Sequence, residues 1–248
     1  MQPLNDLNDL DGIKARFIAA RGYWRPWTDA MLRANPGFLA HYAEYAGHPA
    51  RTGPLTPRMV ELIYVALDAS ATHLYEAGLA THLRMAREAG ASDADVFDVL
   101  HLVTMQGLSA VLQAADLLHE ASPLPALDAH DPMRARIAAL WPAQAPSLLR
   151  LAAQDRGYVA VLLDFLEGGA PAGGLAAAER MLVRIALHAC FTHGDMAATR
   201  ALIGDALAQG VSRPEILQAI QLGGHLAVHG AALGATVHAR VQAAGASG

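Results

Sequence analysis

The sequence predicts an all-α protein made of two tandem helical units related by pseudo-symmetry. Three observations carry this. Hydrophobic residues make up 53% of the 248 positions and charged residues only 17%, a balance that fits a packed chain and not a disordered one. Ala and Leu dominate, β-branched content is modest, and alternating strand-type runs are absent, which favours helix. The chain also repeats itself: a shift of 120 positions aligns the two halves without a gap from about residue 37 to 118.

The repeat is carried by particular residues. Gly37 meets Gly157, Leu55 meets Leu175, Leu62 meets Leu182, and Ala66-Leu67 meets Ala186-Leu187. Thr72-His73 meets Thr192-His193, Gly90 meets Gly210, and Ser92 meets Ser212. Substituted positions keep their character, as in Phe38 with Tyr158, Val65 with Ile185 and Asp95 with Glu215. The expected division is an N-terminal arm plus first unit over 1–122 and a second, diverged unit over 132–248. A linker rich in breakers, HEASPLPALDAHDP around 119–132, separates them.

Each element follows from local signals. PGFLAHYAEYAG has helical spacing, with Gly47 as a cap. LTPRMVELIYVALDASA starts at Thr56 as N-cap with Pro57 in the first turn, and is apolar nearly all round, so it is a central helix. LYEAGLATHLRMAREAG follows and stops at Gly90. Ser92 with Asp95, and Ser212 with Glu215, form capping boxes that open the next helix in each copy. The closing helices run over LSAVLQAADLLHEA and HLAVHGAALGATVHARV. Tyr23, Trp24 and Trp27 lock the first helices onto the domain or onto a neighbouring subunit.

Several function classes are disfavoured. The net charge is -5 with no block of like charges, against a nucleic-acid partner. No run reaches the roughly 18 apolar residues of a membrane helix; the nearest, 216–239, is interrupted by Gln218, Gln221, His225, His229 and His238. No secretory signal is visible, and the single Cys190 allows neither a disulfide framework nor a thiol pair, so a reducing cytoplasm is the expected location.

Candidate chemistry centres on histidine, whose pKa suits proton transfer near neutrality. His73 and His193 coincide across the repeat; each reads equally as an acid/base group or as a turn residue bonded to backbone. Glu76 lies three residues after His73 and His82 nine after it. His82 falls on the inner stretch of an apolar helix, where a polar group needs a partner or a role. Glu61 sits between Val60 and Leu62 and would have a raised pKa unless paired. Arg84 offers a bidentate contact to a substrate carboxylate. In the second unit His225 and His229 stand four apart on one expected helical face, a spacing that can also hold a metal. No clean metal motif appears, so neither metal nor other cofactor is expected.

ELIYVALDASATHLYEAGLATHLRMAREAGASDADVFDVLHLV resembles the carboxymuconolactone decarboxylase and AhpD-like family. The shared pattern is a Glu-rooted apolar helix, a turn, a helix with a late His and an Ala-x-x-x-Gly ending, then Ser-x-x-(Asp/Glu)-(Ile/Val). In the peroxidase branch a Cys-x-x-Cys precedes that His; here its positions hold Tyr75 and Gly78, and in the second copy Asp195 and Ala198. Dithiol peroxidase chemistry is therefore excluded. The resemblance implies a homo-oligomer with sites between units, a trimer being favoured for a two-unit chain. It implies a decarboxylase-like lyase, or a related isomerase or hydrolase, acting without cofactor on a small carboxylated or lactone metabolite. The expected catalytic set is His82, His73 and Glu76, with Arg84, Tyr75 and Glu61 on the substrate side and His193, His225 and His229 as second-unit candidates. A non-catalytic oligomeric scaffold or ligand-binding protein on the same fold is the alternative.

Overall fold

A computed structural model describes residues 7–245. Helices follow one another as α1 (Leu10–Arg21), α2 (Pro26–Ala34), α3 (Pro36–Thr52), α4 (Pro57–Ala69), α5 (Glu76–Glu88), α6 (Asp93–Thr104) and α7 (Gln106–Ala121). The second half continues with α8 (Pro132–Leu140), α9 (Ala145–Gln154), α10 (Arg156–Gly168), α11 (Ala177–Ala189), α12 (Met196–Ala208), α13 (Arg213–Leu222) and α14 (Val228–Gly245). Among the described residues there is no strand, so the all-α expectation holds.

The helix bounds recur at the same offset of 120: Pro57–Ala69 against Ala177–Ala189, and Glu76–Glu88 against Met196–Ala208. The recurrence reaches further upstream than the sequence alignment does, since α8 and α9 occupy the places of α1 and α2. Caps set these ends. Thr56 accepts from the Met59 amide, and Ser92 and Ser212 make reciprocal capping boxes with Asp95 and Glu215. Gly90 and Gly210 take φ of 92° and 86°, where a side chain would be strained. This lets the Ala91 and Val211 amides reach back to the Ala86 and Ala206 carbonyls, each at 2.9 Å.

Three local expectations are corrected. Gly47 does not end its helix: α3 runs through it and through Pro49 to Thr52. Packing of Ala43, Ala46 and Gly47 on one buried face outweighs the glycine's local preference. The linker is shorter than drawn, because α7 continues through His119 to Ala121. One stretch, Asp93–Ala121, is apolar and long enough to span a membrane, but 61% of its apolar window is buried inside the fold, as in the core helix of a globular chain.

By packing, the chain forms two compact units: one up to Gly53 together with the stretch from Gly224, the other Pro54–Gly223. In the first, Phe17 is ringed by Tyr23 at 5.5 Å, Trp24 at 5.5 Å and Trp27 at 6.1 Å, all edge-on, and its core is closed by Val228 and Ala232 of α14. In the second, α8–α10 build an equivalent core on Ile137, Leu148, Val159 and Leu163, closed by Leu108 and Leu112 of α7. Each core thus takes its closing helix from the other copy of the repeat. The second unit also holds α4–α6 and α11–α13 in contact, with reciprocal bonds: the Leu55 amide donates to Gln218 Oε1 at 2.7 Å, and the Leu175 amide to Asp98 Oδ2 at 2.9 Å. Arg58 ties α4 to Asp95 and Glu179, and Arg180 pairs with Asp98 at 3.1 Å.

Candidate active site

The site is built on α4, buried without a break from Met59 to Asp68. Such a helix can carry polar side chains only if they find partners. Glu61, on its first turns, faces His82 on α5, and His82 Nδ1 lies 2.6 Å from Glu61 Oε2. Both side chains are nearly enclosed, at 11% and 12% exposure. The Tyr64 ring lies against the imidazole, centroids 4.5 Å apart.

Asp68, in the last turn of α4, is the second carboxylate. Its Oδ2 is 4.0 Å from His82 Nε2 and its Oδ1 is 3.8 Å from His73 Nε2. The turn that follows fixes His73: Ser70 carbonyl accepts from the His73 amide at 2.8 Å and from the Leu74 amide at 2.9 Å, with Leu74 at φ 49°. The Tyr75 amide returns to the Asp68 carbonyl at 2.9 Å and starts α5. Burial lowers the His73 pKa below the usual histidine value. Two imidazoles and two carboxylates therefore share one buried corner.

The second copy repeats the turn and changes the chemistry. His193 and Gly194 amides bond the Cys190 carbonyl at 2.9 and 2.8 Å. Position by position, Glu61 becomes Met181, Tyr64 becomes Arg184, Asp68 becomes His188, Tyr75 becomes Asp195 and His82 becomes Leu202. His188 and His193 rings meet edge-to-face at 4.9 Å. Burial, helped by the charges of His193 and Arg184, pulls the His188 pKa down to about 4. Asp195 caps α12 through the Ala198 amide at 2.9 Å. His188, His193 and Asp195 bring ligand atoms within 4.8 Å of one another and could hold a metal ion; the sequence reading did not single out this set.

Residues 36–120 match the carboxymuconolactone decarboxylase family. That match covers about a third of the chain and coincides with the first copy of the repeat. Over its whole length the chain is similar to the crystal structure of a candidate gamma-carboxymuconolactone decarboxylase subunit from Burkholderia xenovorans, at 25% identity and a TM-score of 0.88, with 100% of each chain covered. No curated protein matches the chain.

The structure sorts the expected residues. His82, Glu61 and His73 come together, with Glu61 as the partner of His82 instead of a free substrate contact. Glu76 does not join them; it is exposed in the first turn of α5, where the helix dipole favours an acid. Arg84 is also outside, paired with Glu88 at 2.7 Å on the exposed face of α5. Tyr75 is half-buried at the start of α5, its ring 6.0 Å from that of His73. His225 and His229 share no helical face, because Gly223–His225 forms a 3-10 turn and α14 starts at Val228. His225 instead meets Arg21 Nη2 through Nε2 at 3.1 Å. Asp68 was missed. Its signal was an acid in the last turn of an otherwise apolar helix, a place the dipole disfavours.

Gly78, which takes the place of the second thiol of the peroxidase branch, has a packing reason. A Cβ there would come within 2.1 Å of Asp68 Oδ2 and 2.5 Å of the Tyr75 ring. The Asp68 carboxylate fills the room that a Cys side chain would need.

Proposed function

We propose that the first copy is the acid/base centre of a cofactor-independent lyase acting on a small carboxylated lactone. The observation that carries this reading is the buried 2.6 Å contact between His82 Nδ1 and Glu61 Oε2. A carboxylate on one ring nitrogen fixes the tautomer and the ring orientation. Nε2 of His82 then exchanges the proton, in a field set by Asp68 at 4.0 Å.

In a decarboxylation the bond between ring carbon and carboxylate breaks, carbon dioxide leaves, and the electron pair is held as an enolate conjugated to the lactone carbonyl. His82 protonates that carbon; positioned proton transfer of this kind contributes roughly 10²–10⁴-fold. His73, kept neutral by burial near pH 7, serves as the second proton carrier. Glu61 orients His82, and Glu76 of the expected catalytic set has no part in the step. The second copy, with Leu202 and Met181 in place of the dyad, does not turn over substrate.

The chain is further proposed to act as a homo-oligomer, a trimer being favoured. Exposed apolar side chains support this, among them Phe97 at 63%, Leu117 at 66% and Leu233 at 64% exposure; sedimentation gives the stoichiometry. The activity is tested by incubating the protein with gamma-carboxymuconolactone, the compound in the neighbour's name, and trapping carbon dioxide. Release above the uncatalysed rate is expected. No release from it or from other carboxylated lactones overturns the reading.

A further inference from the structure

We propose that a cavity floored by Arg184 and Trp141, lined mostly by the second copy, is a separate binding site for a small organic monocarboxylate. The cavity has a volume of about 460 Å³, in the range of small-molecule sites, and its lining runs from His101 on α6 to Gln209 just after α12. It is lined by Met181 and Leu202, the second-copy counterparts of Glu61 and His82. None of His73, Glu76 and His82 lines it. The proposal therefore stands apart from turnover in the first copy.

Arg184 is the reason for an anion. Its guanidinium carbon lies 4.5 Å over the Trp141 ring, so the aromatic face holds one side of the plane. Its Nε is buried without a hydrogen-bond partner. No carboxylate among the described residues pairs with it. Enclosure pulls its pKa down to about 9, which leaves it charged at neutral pH and short of an anion. Buried charges are stable when paired, and a planar guanidinium stacked on an indole leaves its N–H edge for bidentate recognition of a carboxylate.

The other charges do not supply the missing partner. Arg180 is satisfied by Asp98 at 3.1 Å, and Glu167 by Arg136. Asp205 lines the cavity and acts on Arg184 only through space. Burial lowers the His101 pKa, so it is neutral near pH 7. A guanidinium with no hydrogen-bonded carboxylate faces walls of Leu102, Met105, Leu140 and Leu166. That chemistry fits one carboxylate on an apolar or aromatic body, and disfavours dicarboxylates and neutral amides.

The test is calorimetric titration of the full chain with benzoate, and with benzamide as the neutral isostere. Wild type and His82→Ala are expected to bind one benzoate per chain alike, and neither to bind benzamide. Arg184→Met is expected to weaken benzoate binding by about tenfold or more, the scale of one charge-assisted contact. If that variant unfolds, Ala139→Trp, at an exposed position on the cavity wall, decides by adding bulk at the wall while the Arg184 charge is kept. No benzoate binding to wild type at millimolar concentration overturns the proposal. So does binding that survives Ala139→Trp or Arg184→Met, or that disappears in His82→Ala.

Discussion

His82 Nδ1 and Glu61 Oε2 meet at 2.6 Å across the packed faces of α5 and α4. The contact joins residues 21 apart in sequence and is enclosed by Tyr64. Replacing Glu61 by Gln keeps an acceptor for the ring N–H and removes the charge. Turnover is expected to fall about tenfold or more while the fold persists. Glu61→Leu leaves the imidazole N–H unpaired and is expected to cost about 1–3 kcal/mol of stability besides. Urea unfolding and single-turnover rates on the two variants separate these effects.

Gly78 is required by the close approach of Asp68. A Cβ at 78 would meet Asp68 Oδ2 at 2.1 Å. Gly78→Ala is expected to displace the carboxylate, lower stability by about 1–3 kcal/mol and reduce turnover. The pair Tyr75→Cys and Gly78→Cys is expected to give no peroxidase activity for the same reason. A peroxide-consumption assay with a dithiol donor checks this.

His188 makes stability depend on pH with a defined sign. Its pKa is about 4 in the fold against about 6.5 unfolded. Between those values the unfolded chain binds the extra proton, so stability is full above about pH 6.5 and falls as pH drops toward 4. The loss is on the order of 3 kcal/mol, and His73 shifts in the same direction. His188→Gln is expected to flatten the curve of urea midpoint against pH in that window; an unchanged slope would show that His188 is not the group responsible.

The reciprocal bonds Leu55 to Gln218 and Leu175 to Asp98 hold the copies' central helices together. Gln218→Leu strands one buried amide and is expected to cost about 1–3 kcal/mol. Asp98→Leu also strands Arg180, paired at 3.1 Å, and is expected to cost about 3–5 kcal/mol. Thermal melts of the two variants should rank in that order.

Helix periodicity and caps made much of the fold legible: Thr56, Ser92, Ser212, Gly90 and Gly210 each act where the sequence placed them. Gly47 misled because a buried face carried α3 past it. The pair Gly223-Gly224 carried the opposite signal, a break that separates His225 from α14, and it was passed over. In the site, His82 and Glu61 were legible because each is polar in an apolar helix, and His73 because it recurs as His193 across the repeat. Their grouping was not, since spacing along one helix says nothing about which side chain faces it from another. Glu76 attracted attention by nearness in sequence, while Asp68, on the preceding helix, is the acid that packing brings in. Arg184 went unread because its meaning rests on Trp141, 43 residues earlier in the chain and brought beneath it by the fold.

The most direct test of the acid/base centre is the rate of carbon dioxide release from gamma-carboxymuconolactone by His82→Ala against wild type, with melting temperatures measured in parallel. A loss of roughly 10²–10⁴-fold in turnover at a retained fold is the predicted result. Turnover unchanged by the substitution would contradict the account.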